Sequence, residues 1–281
     1  MFKRRFDHPL DVVEVKQVYE QGVTFPVLCK LSDGFDAIVK YPRNPFGLNV
    51  LINEWVGNSI ADLVDLTIPE YGQCYMSKEV IHETNENEEI DEANCGNCFF
   101  SYHLSKTAQP NRFVLSKASN KETERLLLLD HLISNTDRHS GNILYEISEN
   151  NRVFFIDCSH IMMPSNRNMN YDLDVEWELS DAAILSDKML ADKKDNLYDL
   201  LCNTMGYEEK VLYDEVKRIK NAFTLDKLDA VRQSIPEEWI TDSTIRRIDN
   251  MFMILATRLN RLDDIANMIA NERRNGNWKR S

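Results

Sequence analysis

Three side chains with oxygens to offer stand close together in the chain: Asp137, Asn142 and Asp157. The first two lie in the polar run Asn135-Thr-Asp-Arg-His-Ser-Gly-Asn142, and the third follows the apolar run Val153-Phe-Phe-Ile156. Phosphoryl transfer from ATP needs such a set. One carboxylate orients and deprotonates the acceptor hydroxyl, while an amide oxygen and a second carboxylate hold Mg²⁺, a hard cation that prefers oxygen ligands. On this reading Asp137 handles the proton and Asn142 with Asp157 holds the metal. Lys40, at the end of Ala37-Ile-Val-Lys40, and Glu54, in Leu51-Ile-Asn-Glu-Trp-Val56, complete the set. A strand lysine paired with a helix glutamate positions the phosphates of ATP.

The elements that must carry these groups are legible in outline. Ser119 with Glu122 predicts a capping box, and a helix starts just after it. Leu126, Leu129 and Ile133 recur at helical spacing, and Leu127, Leu128 and Leu132 widen the stripe, so this helix is expected to be buried on most sides. Ile143-Leu-Tyr145 and Val153-Phe-Phe-Ile156 are rich in strand formers, with Ser148 to Asn151 as the turn between them. Upstream, Pro26 to Leu31, the turn Ser32-Asp-Gly34 and Phe35 to Lys40 predict a hairpin within a small antiparallel sheet over residues 10 to 41. Gln21-Gly-Val-Thr-Phe25 is placed to cover a nucleotide, but its single glycine suits a tight turn equally well. Tyr71 to Val80 reads as another strand and the hinge, Cys98 to Tyr102 as a strand leading toward the second lobe, and 82 to 97 as an acidic surface loop or weak helix. Past Asp157 the chain turns helical: Asp187 to Cys202, Glu208 to Phe223, Leu225 to Ser234 and one long helix from Thr241 to Asn271. Arg167 to Asp172 and Glu176 form a polar stretch suited to facing a substrate.

Asp137 and Asn142 stand at the D-x-x-x-x-N spacing of a kinase catalytic loop. The segment Asp137-Arg-His-Ser-Gly-Asn142, followed by a hairpin and Ile156-Asp157, resembles the kinases related to the bacterial toxin HipA. Phosphoinositide kinases carry a similar D-R-H-x-x-N loop. The order Lys40, Asn53-Glu54, Leu66-Thr-Ile-Pro-Glu70 looks like the amino-terminal lobe of a small HipA-like kinase, and Ile235-Pro-Glu-Glu-Trp239 before a long terminal helix suits the same group. The resemblance implies a two-lobed α+β kinase fold, with a nucleotide-binding lobe over residues 1–108 and a catalytic lobe over 109–281. It implies ATP and Mg²⁺ as cofactors and a protein serine or threonine as acceptor. It also implies that Arg138 and His139 support the loop; Arg138 either touches a phosphate or fixes the loop through a salt bridge. On this resemblance the chain is expected to lack the extra amino-terminal subdomain of full-length HipA.

Composition narrows the field. A net charge of −13 over 281 residues argues against a nucleic-acid backbone as the main partner, since such binders carry a basic face. The start Met1-Phe-Lys-Arg-Arg-Phe has no apolar run behind it and does not read as a signal peptide, and no window of about 18 apolar residues predicts a membrane span. The six cysteines are scattered, which suits reduced thiols in the cytoplasm; Cys95-Gly-Asn-Cys98 alone is a weak zinc signal. Two other readings stand beside the kinase. His131, Asp137, His139, Asp157 and His160 offer ligands for a metal-dependent hydrolase. A kinase-like module that binds nucleotide without turnover is the second.

Overall fold

The computed structural model describes residues 2–19, 24–84, 90–108, 119–135, 137–147, 152–162 and 208–275. Five strands form a closed barrel in the order β1 (Leu10–Val18), β2 (Val27–Leu31), β3 (Asp36–Lys40), β5 (Gly96–Tyr102) and β4 (Tyr71–Met76). Alternation explains the register. Val27, Cys29 and Leu31 of β2 and Ala37 and Val39 of β3 are buried inside, while Lys40 lies on the other face of its strand. Gly34, at φ +91°, makes the turn between β2 and β3. The small antiparallel sheet expected here goes further and closes on itself. Register shifts between Val12 and Glu14 and between Val15 and Gln17 bend β1. Its first residues, Leu10 and Asp11, then pair in parallel with Cys74 and Tyr75.

A second sheet, in the order β6 (Thr107–Ala108), β7 (Ile143–Glu146) and β8 (Val153–Phe155), sits among helices. The helices are α1 (Leu48–Leu63), α2 (Lys78–Thr84), α3 (Asn120–Leu132), α4 (Glu209–Ala222), α5 (Leu225–Gln233), α6 (Ile245–Asn260) and α7 (Leu262–Arg274). Burial falls into two clusters. One fills the barrel. The other runs continuously from α1 through α3, β7 and β8 to α4–α7. Helix α1 is buried on nearly every side, its polar residues Asn53, Glu54, Asn58 and Asp62 along with its apolar ones. It meets the outside of the barrel through Trp55, whose ring lies 6.1 Å from Tyr71. Trp55 also packs edge-on against Trp239 at 5.6 Å. Trp239 in turn donates its indole N–H to the Asn97 carbonyl of β5 at 3.0 Å. The Ile235-to-Trp239 segment therefore clasps the carboxy-terminal helices to the barrel.

Several expectations need correction. Ser119 is the N-cap of α3, but its side chain makes no capping bond, and Glu122 accepts instead from Thr67 Oγ1 at 2.6 Å. The helix expected over Thr241 to Asn271 is two helices. The chain leaves helical geometry at Arg261 (φ −105°, ψ 19°), and α7 restarts with Asp263 and Asp264 in its first turn, where acidic groups suit the N-terminal dipole. The apolar spacing from Leu259 to Leu262 carries on across the break, so periodicity alone does not reveal it. Among the described residues Cys29, Cys74, Cys95, Cys98 and Cys158 are free thiols. The Asp187-to-Cys202 helix, the polar stretch containing Arg167 and Glu176, and residues 21–23 of the covering loop lie outside the described residues.

Buried ion pairs tie α3 to its neighbours: Arg125 to Glu215 of α4 at 2.7 Å and Glu124 to Arg273 of α7 at 2.9 Å. His131 of α3 is buried beside arginines. Burial first, then the charges of Arg258 and Arg273, push its imidazole down to about 3. The unfolded chain takes up this proton as pH falls through about 6.5, and the folded chain does not. The contribution is therefore complete above pH 6.5 and is lost progressively toward pH 3. Chemical denaturation should show the wild type losing about 1.4 kcal/mol more than His131→Gln per pH unit below 6.5. Parallel pH profiles for the two proteins would show that this site carries no such linkage.

Candidate active site

Helix α3 delivers the polar loop through its C-terminal turn. Ser134, at φ +51°, takes the left-handed conformation. The Ser134 and Asn135 amides return to the carbonyls of His131 and Asp130, at 3.4 and 2.8 Å. The loop is then pinned from inside. Arg138 grips Asp130 with two bonds, Nε to Oδ2 at 2.9 Å and Nη2 to Oδ1 at 3.1 Å. Its remaining donor, Nη1, reaches the carbonyls of Asn142 and Ile156. Of the two roles open to Arg138, the structure shows the loop-fixing salt bridge. Asp130 is nearly inaccessible, so the pair is fully desolvated and satisfied by geometry.

The same arginine joins the two polar segments, because Ile156 N also donates to the Asn142 carbonyl at 3.1 Å. Asn142 spends its amide nitrogen on the Asp137 carbonyl at 2.8 Å, which leaves Oδ1 as an acceptor. Asp137 keeps a third of its side chain exposed. His160 Nδ1 lies 3.7 Å and His139 Nε2 4.0 Å from its Oδ2. Asp157 sits at φ +65°, a strained conformation for a side chain larger than glycine's, of the kind that clusters at functional sites.

Lys40, Glu54 and Asp157 come together at one point. The Lys40 ammonium bonds Glu54 Oε1, Asp157 Oδ1 at 3.2 Å and Ser159 Oγ at 2.6 Å. Burial disfavours its charge, but Asp157 and then Glu54 outweigh that and hold its pKa above the ordinary lysine value. The carboxylates separate. Burial pushes Glu54 up against the pull of Lys40. Burial would also raise Asp157, but Lys40 and the Ser159 hydrogen bonds hold it below the usual carboxylate range. Asp157 is therefore the firmly ionised member. A third of its side chain is exposed. With Asn142 Oδ1 it supplies the oxygen donors a hard cation takes, so the residues present fit a magnesium ion.

Of the hydrolase ligand set, His139 and His160 lie near Asp137, but the five do not form a metal site. His131 lies in the helical core with Arg258 donating to its carbonyl at 2.7 Å, and among the described residues no group of three or more His, Cys, Asp or Glu is placed to hold a metal. Two members of the site escaped the sequence reading. Asp130 had a signal, a charge within an otherwise apolar leucine run. Ser159 had none.

Helix α1 is pressed onto the segment after Asp157. Gly57 makes this possible: a Cβ there would lie 2.4 Å from Cys158 Cβ and 2.6 Å from its Sγ. Gly57→Ala is expected to cost about 1–2 kcal/mol by urea denaturation, because overpacking outweighs alanine's helix preference of about 1 kcal/mol. A variant as stable as wild type would show that the Cys158 segment can yield.

The family model for the HipA-like kinase matches residues 12–267. The Helicobacter pylori proinflammatory kinase CtkA superposes with a TM-score of 0.59 at 16% identity, covering 94% of this chain and 99% of that one. The Golgi casein kinase gives 0.52 at 9% identity, covering 92% and 73%. HipA of Shewanella oneidensis MR-1, from its complex with HipB and operator DNA, gives 0.52 at 11%, covering 90% and 67%. No curated protein sequence matches the chain. At these identities the structures establish the fold, two-lobed and of kinase type, with its barrel at the amino-terminal end and helices after it. With a family match over nearly the whole sequence, the chain belongs to the HipA-like kinases.

Proposed function

We propose that the protein is an ATP- and Mg²⁺-dependent kinase that transfers the γ-phosphoryl group to a protein serine or threonine. The observation that carries this is the ammonium of Lys40 held between Glu54 of α1 and Asp157 beyond β8. Lys40 would hold the α/β-phosphates, with Glu54 fixing its position. Asn142 and Asp157 would hold the magnesium, whose charge neutralises the phosphates. Asp137, with a third of its side chain exposed, orients the acceptor hydroxyl and takes its proton. We assign residues 1–108 to the nucleotide lobe and 109–281 to the catalytic lobe, with helix α1 packed between their cores. A protein acceptor is in keeping with the name of the Golgi casein kinase, whose fold the chain shares. The cytoplasm suits the free thiols, and among the described residues no helix is long and apolar enough to cross a membrane.

Two measurements test the reading. Isothermal titration with ATP and Mg²⁺ should give saturable heat, and absence of binding at millimolar nucleotide would remove the kinase assignment. Asp137→Asn keeps size and hydrogen bonding but removes the base. Turnover should fall by about 10² to 10⁴ while ATP affinity and melting temperature hold. An Asp137→Asn variant turning over at nearly the wild-type rate would take the base role away from Asp137.

A further inference from the structure

A lysine ammonium has three N–H donors. In this site all three are committed: to Glu54 Oε1, to Asp157 Oδ1 and to Ser159 Oγ. A phosphate can be met only if one of these acceptors is given up. The Asp157 contact, at 3.2 Å, is longer than the 2.6 Å contact to Ser159, and Asp157, with a third of its side chain exposed, is the more accessible of the two carboxylates. Ser159 is fully buried. Its hydroxyl lies 2.9 Å from Glu54 Oε1 and also contacts Asp157 Oδ1, and its amide donates to Asp157 Oδ1 at 3.0 Å. Protein kinases carry Asp-Phe-Gly at the corresponding metal-binding aspartate, and glycine offers no side chain. Here the run is Asp157-Cys158-Ser159.

The backbone around Ser159 is held as firmly as its hydroxyl. Asn53 of α1 donates to the Ser159 carbonyl at 2.6 Å and to that of Ile161 at 3.4 Å. Arg247 of α6 donates to Asn53 Oδ1 at 3.1 Å. Cys158 N donates to Glu54 Oε1 at 3.2 Å. Helix α1 and residues 157–161 thus form one hydrogen-bonded unit, closed by the Gly57–Cys158 contact.

We propose that Ser159 is a positioning residue: its hydroxyl, with Glu54, keeps two of the three Lys40 donors, so that Lys40 stays in place when Asp157 turns to a metal and the third donor is released to phosphate. The proposal rests on the kinase reading for its last clause only. The anchoring itself is a property of the nucleotide-free protein.

The test compares wild type, Ser159→Ala and Ser159→Thr, the last keeping the hydroxyl. Hydrogen–deuterium exchange on nucleotide-free protein reads the anchor, and calorimetry with ATP and Mg²⁺ reads its consequence. Ser159→Ala should speed exchange at residues 157–161 and in α1 while leaving β2 as in wild type. It should also weaken ATP·Mg²⁺ by about tenfold, the low end for a lost hydrogen bond to a charged group. Ser159→Thr should restore both. Should Ser159→Ala not fold, Ser159→Cys takes its place, since it keeps the volume and gives up the strong hydrogen bonds. Exchange and affinity unchanged in the hydroxyl-free variant would overturn the proposal. So would faster exchange spread evenly through the barrel and α3 with affinity intact, which is what a merely structural serine would give. If wild type binds no ATP·Mg²⁺, the kinase reading falls, and the exchange comparison still decides whether Ser159 anchors Lys40.

Discussion

The structure depends on how one buried positive charge is kept. An ammonium taken out of water is tolerated only where acceptors meet it on every side, and Lys40 finds two carboxylates and a hydroxyl. Those acceptors come from a helix and from the segment after a hairpin, while the lysine comes from the barrel. The requirement to satisfy one charge therefore fixes the mutual placement of three separate parts. The left-handed backbone at Asp157 and the close approach at Gly57 both lie where two of those parts meet.

Helix α1 is what the requirement acts through. It belongs to the larger apolar cluster by burial and to the site by Asn53, Glu54 and Gly57. Its amino end, after Gly47 at φ +61°, has neither an acidic first turn nor a side-chain cap, so its position is set by packing and not by its own ends. At the other end, Asp65 at φ +61° lets the Asp65 and Leu66 amides return to the carbonyls of Asp62 and Ala61. The Asp65 carboxylate then meets Lys3, Arg4 and Arg218. The terminus of one helix thus collects the chain start and α4 as well.

What could be read from the sequence was local. Asp137 and Asn142 are five residues apart on one loop, and the hairpin that follows advertises itself by strand formers and a polar turn. Lys40 and Glu54 were legible because a strand followed by a helix is a short-range pattern. The barrel's closure was not, because it depends on two bulges in β1 that leave the residue types unchanged. The break at Arg261 was hidden by apolar spacing that continues across it. Ser159 and the Arg247–Asn53 bond were hidden for a different reason. A lone serine or asparagine says nothing of partners more than a hundred positions away, and only the packed chain brings them together.

The Arg247–Asn53 bond spans 194 positions. A ribosome adding roughly 5–20 residues per second needs on the order of ten to forty seconds to make that much chain. Once Ser159 has been made, the Asn53 amide that carries its carbonyl still lacks its buttress until Arg247 follows. The charge cluster itself draws only on residues 40 to 159, so its brace from Arg247 is added after its members. The last brace of the site is encoded far downstream of the residues it steadies.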